Sequence, residues 1–112
     1  MKIDIKEVAE VLNRHGVNSR YIDETNSIEI HEFSHGPCWI TPRLEDVPSA
    51  PATTIIREAM VRDGLYMRHD IEPTYNGMRH CVGAARAITT HGSGWQDTYT
   101  EALLGCMMEA WR

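Results

Sequence analysis

Ala102, Leu103, Leu104, Cys106, Met107, Met108, Ala110 and Trp111 put apolar side chains on nearly every side of one helix. An amphipathic helix needs cover on a single face, whereas a helix that is apolar all round must be central or must lend a face to a partner. Thr98 and Glu101 stand as a capping box at its start. Leu103, Cys106, Met107 and Ala110 make one stripe along it, and Leu104, Met108 and Trp111 make a neighbouring one. A single domain of 112 residues offers limited cover for the second stripe. Leu104, Met108 and Trp111 are therefore expected to dock a homodimer mate or another protein.

The elements before it point to an α+β domain over 1–112, with three helices packed on an antiparallel sheet of four to five strands. Asp4 and Glu7 cap a first helix whose Ile5, Val8, Ala9 and Leu12 recur at helical spacing, and Gly16 ends it. Strands are expected over 20–23 and 28–33, joined by a turn at Glu24-Thr25-Asn26-Ser27, with a further short strand over 38–41. Pro42, Pro48 and Pro51 mark a loop. A second helix over 52–63 turns Ile55, Ile56, Ala59 and Met60 inward, and Gly64 closes it. Segments 65–74 and 78–89 flank Asn76-Gly77, a dipeptide suited to a type I′ hairpin. That turn would set Ile71 against Val82, His69 against Ala84 and Leu65 against Ile88. The order is α-β-β-(β)-α-β-β-α, an α-β-β unit used twice without any shared residue string.

Composition narrows the function. The net charge of −5 supplies no basic footprint for direct nucleic-acid binding. No apolar run approaches the length of a membrane span, and the charged start Met1-Lys2-Ile3-Asp4-Ile5-Lys6 does not read as a signal peptide, so a cytoplasmic protein of a bacterial host is expected. Cys38, Cys81 and Cys106 show no paired spacing and suit a reducing compartment.

His31-Glu32-Phe33-Ser34-His35 spells H-E-x-x-H, which on a helix brings two imidazoles to one zinc ion and a carboxylate to its water. Here Ile28-Glu29-Ile30 alternates as a strand does, and Gly36-Pro37 interrupts the chain directly afterwards. On a strand, His31 and His35 would stand about 13 Å apart. The expectation is an extended segment without metal or cofactor. The competing reading is a zinc-dependent hydrolase with His31, His35 and Cys38 as ligands and Glu32 as base. His69 and His80 on the hairpin, with Asp70 and Glu72 nearby, read as packed or rim histidines. Gly92-Ser93-Gly94 reads as a connector, and Cys38 as the most exposed thiol.

The stretch ending in Asp97-Thr98-Tyr99-Thr100-Glu101-Ala102-Leu103-Leu104-Gly105-Cys106-Met107-Met108-Glu109-Ala110-Trp111 resembles the close of the phage ABA-sandwich domain, over roughly the last 35 residues. That family tends to finish with a strand, a variable loop and a Thr-capped helix rich in Ala, Leu and Cys. The resemblance implies a phage or prophage origin and brings no catalytic residue.

Together these features favour a small acidic binding protein that occupies a host protein or complex, most concretely an anti-CRISPR-type inhibitor of host defence. Trp95, Tyr99 and Trp111 are of interface type. Asp23, Glu24, Glu29, Glu32, Asp70 and Glu72 are expected to form an acidic docking face.

Overall fold

A computed structural model describes residues 3–32, 36–46 and 52–112. Helix α1 spans Ile5–Arg14, with the Asp4 carboxylate accepting from the Lys6 and Glu7 amides. Ile5, Val8, Ala9 and Leu12 form its buried face, widened by Val11. Gly16 follows at φ 82, a conformation that glycine adopts without a Cβ clash.

Strands β1 (Ser19–Ile22), β2 (Ser27–Glu32) and β3 (Gly36–Ile40) build an antiparallel sheet in that order. Period-two alternation sorts its faces. Ser19, Ile30 and Cys38 line up in one buried row, and Tyr21, Ile28 and Ile40 in the next. Arg20, Glu29 and Trp39 form a row on the opposite face. Gly36-Pro37 does not interrupt the chain as expected but opens β3, with Pro37 opposite His31 and Gly36 opposite Glu32. An edge strand tolerates this proline because one side of its backbone needs no ladder donor.

Helix α2 (Ala52–Arg62) buries Ala52, Ile55, Ile56, Ala59 and Met60. Strands β4 (Tyr66–Thr74), β5 (Gly77–Arg86) and β6 (Thr89–Gly92) form a second antiparallel sheet. Its hairpin turns one residue earlier than expected: Tyr75-Asn76 is the loop, Thr74 opposes Gly77, and Gly77 carries the positive φ of 146. The register consequently moves by two residues, so His69 opposes Val82 and Ile71 opposes His80. An even shift leaves every side chain on its expected face. The segment 78–89 is not one strand either. The chain turns at Ala87-Ile88, where Ala87 takes φ 53, and Thr89–Gly92 pairs back onto β5.

Helix α3 (Tyr99–Trp111) begins at Thr98, whose hydroxyl accepts from the Glu101 amide as the capping box requires. The order is thus α-β-β-β twice, then α3, with two three-stranded sheets in place of one sheet of four to five strands. α1 packs on β1 and β2, α2 touches β3 and β4, and α3 contacts β5, β6, α1 and α2. One apolar cluster joins all three helices and both sheets. The second sheet overturns the expected docking stripe. Leu104, Met108 and Trp111 are only 0%, 5% and 6% exposed, so the chain itself covers them. Among the described residues no helix is long and apolar enough to cross a membrane.

Candidate functional site

Where the two sheets approach α3, a cleft of about 310 Å³ opens between Trp39 and Ile40 of β3, Thr53 and Thr54 of α2, His69 of β4, and Tyr99 and Thr100 of α3. Its polar floor is organised by Asp46. One carboxylate oxygen accepts from the Tyr99 amide at 2.9 Å, and the other accepts from the Thr100 amide and hydroxyl, each at 2.8 Å. Burial opposes the charge on Asp46, but these donors at a helix N-terminus outweigh it, with His80 adding attraction, so the carboxyl sits below its ordinary range. Asp46 therefore anchors the segment after β3 to the start of α3.

The corrected register brings His69 and His80 together diagonally across the hairpin, Nε2 to Nδ1 at 2.9 Å. One imidazole donates while the other accepts, so this contact requires at least one of them to be neutral. His69 also stacks on Tyr99 with centroids 4.3 Å apart. Burial first, and then the neighbouring His80, lowers the pKa of His69. Burial likewise raises the phenol of Tyr99. The imidazole pair stacked against the Tyr99 phenol packs and orders this corner. The nearest carboxylate, Asp46, is already taken up by its amide and hydroxyl donors.

The other end of α3 holds a second polar cluster. The Trp111 indole donates to Asp63 Oδ2 at 2.9 Å and stacks on His15, with centroids 4.2 Å apart and planes 2° from parallel. Arg86 donates to the same carboxylate oxygen at 2.6 Å and to the Asp63 carbonyl at 2.7 Å. The Trp111 bond first, then Arg86 against the opposing effect of burial, holds Asp63 below the ordinary aspartate value. This is how the tryptophan that ends α3 becomes core.

Of the zinc signature, the described residues show an extended segment and not a helix. The backbone of His31 and Glu32 is extended on β2. His31 turns instead to Glu29, two residues back on its own face. Phe33 and His35 lie outside the described residues. Among the described residues no three His, Cys, Asp or Glu side chains converge as a metal set. Cys38, expected to be exposed, is buried, with its thiol directed at the Ile30 carbonyl. Cys81 is the more accessible thiol, while burial first, with Glu109 and Cys81, pushes Cys106 up to about 12.

The acidic face is largely resolved into ion pairs. Glu29 meets Arg20 and His31, Asp70 meets Arg68 at 3.0 Å, and Glu72 meets Arg79 at 3.0 Å. Asp23 and Glu24 remain exposed in the β1–β2 turn. Trp95 is exposed, with the Arg79 guanidinium 5.1 Å from its ring centroid, and Tyr99 is half-buried. The Gly92-Ser93-Gly94 string extends the sheet rather than freeing amides: Ser93 N–H donates to Val82, and its hydroxyl accepts from the Val82 amide. Sequence reasoning missed Asp46, Asp63 and His15, because each acts on a residue dozens of positions away and carries no local pattern.

No known protein family, characterised protein or solved structure matches this chain.

Proposed function

We propose that this chain is a non-catalytic binding protein that engages another protein through the far end of the β4–β5 hairpin. One observation carries the reading: the inner face of the hairpin runs on past its cover. Ile71 and Met78 lie on the same face as the buried Val82 and Ala84, yet they are 52% and 51% exposed, and Tyr75 at the tip is fully exposed. Beside them, on the other face, Arg79 sits over Trp95 and pairs with Glu72. Aromatic, Met and Arg side chains around an apolar centre are the residue types that dominate protein interfaces. A phage-encoded inhibitor of a host defence complex is the specific form we favour, supported by the net charge of −5 and the phage-like C-terminal stretch.

The test compares the wild type with the triple variant Ile71→Thr, Tyr75→Ser, Met78→Glu as bait in a bacterial lysate. The variant should keep its fold and its melting temperature within a few degrees, yet lose a protein that the wild type retains. A partner held equally by both baits would move the interface elsewhere. For the defence-inhibitor form, adding the chain to a CRISPR effector complex should suppress target-DNA binding; unchanged DNA binding would remove that form and leave the broader one.

A further inference from the structure

Among the described residues β4 is an edge strand, paired with β5 on one side only. Which of its backbone groups face outward follows from how β5 uses its own. His80 exchanges backbone hydrogen bonds with Gln96, and the Val82 carbonyl accepts from Ser93, all on the side away from β4. Antiparallel residues alternate between bonding one neighbour and the other. Their opposite numbers Ile71 and His69, and Met67 in the same alternation, therefore direct N–H and C=O to the outer edge. Among the described residues no backbone hydrogen bond outside the strand ladders reaches these groups. Tyr66 is also 77% exposed on this strand.

Sheet edges ordinarily carry charge to repel a second strand. Along one face β4 carries Arg68 and Asp70, of opposite sign, and then Glu72, which is paired with Arg79 of β5. We infer that β4 pairs antiparallel with β4 of a second copy of this chain, centred on His69. In that register Met67 lies opposite Ile71 of the copy, and Arg68 opposite Asp70, each twice by symmetry. The three outward-facing residues meet as hydrogen-bonded pairs, the existing Arg68–Asp70 contact becomes a ring of four alternating charges, and the exposed Ile71 gains an apolar neighbour. Sliding by one step would set Asp70 against itself and bring Pro73, which has no N–H, opposite Met67. Charge pattern and backbone donors select the same register.

This pairing shares Ile71 with the surface proposed at the hairpin tip, and it is tested on the purified chain without that partner. Sedimentation of the purified chain over a concentration series should show a monomer–dimer equilibrium. Arg68→Glu alone and Asp70→Arg alone should each raise the dimer Kd by roughly tenfold or more. The double variant Arg68→Glu, Asp70→Arg restores alternation and should return close to the wild-type Kd. Hydrogen exchange should show the Met67, His69 and Ile71 amides slowing as dimer forms. A chain that stays monomeric at all concentrations would overturn the inference, as would a dimer in which those amides exchange as fast as in the monomer.

Discussion

Three side chains show how much of this molecule depends on single polar contacts. Trp111 reaches Asp63 through its only donor, so Trp111→Phe keeps the stacked ring and removes the bond. A loss of about 1 kcal/mol in denaturant unfolding is expected. Asp63 also predicts a pH response. Its folded pKa is depressed, so its contribution is complete above the ordinary value of 3.8 and is lost as pH falls through the lower folded value. Melting curves in that acid range should flatten in Asp63→Asn. His69 acts in a different window. Its pKa is also lowered, so below 6.5 the unfolded chain takes up a proton that the folded chain resists, and stability should fall with pH there until the folded imidazole titrates. His69→Gln should remove that slope; an unchanged slope would assign it to another histidine. None of this was legible in the sequence, where His15, Asp63 and Trp111 are merely distant polar and aromatic letters.

At the scale of elements, local chemistry was readable wherever it was self-contained. Asp4 and Thr98 cap their helices as the spacing indicates, because a cap needs partners only two or three residues away. The hairpin was legible in kind but not in turn position, since Tyr75-Asn76 lacks the sequence signature of a two-residue loop and the positive φ falls on Gly77 instead. β6 was missed because Ala87-Ile88 carries no turn signal at all, while Ala87 still adopts φ 53. Two substitutions measure these turns. Gly77→Val meets no neighbouring atom but must adopt φ 146, and should cost about 1 kcal/mol or more. Ala87→Gly relieves the left-handed strain at the cost of a more flexible unfolded chain, and should gain roughly 0.5 kcal/mol. A destabilised Ala87→Gly would mean that the turn is held by more than its backbone preference.

For the whole molecule, the apolar helix was correctly read as central and wrongly read as under-covered. One sheet would have left the Leu104, Met108 and Trp111 stripe bare, whereas α3 packs on β5 and β6 of the second sheet and against α1 and α2. The count of sheets depended on the four residues of β6 and on the pairing of β3, which no periodicity in so short a segment could settle. Replacing Met108 with Glu and Trp111 with Ser should therefore unfold the chain, as circular dichroism would show, rather than yield a folded protein without its partner. Leu104→Ala should cost between about 2 and 5 kcal/mol, according to how far the surroundings relax. The cleft beside α3 was invisible for a related reason: its walls come from β3, α2, β4 and α3, which meet only once both sheets are in place.

The position of α3 along the chain has a consequence for synthesis. Every strand among the described residues leaves the ribosome before the helix that both halves contact, and the stacking of His15 on Trp111 spans 96 residues. Until α3 emerges, Val82 and Ala84 of β5 lack the helix that packs on their sheet, so the nascent chain carries a sticky hairpin with little to close on. Arrest of translation before α3 should leave a protease-sensitive chain bound to chaperones, and release of α3 should bring resistance in one step rather than half by half.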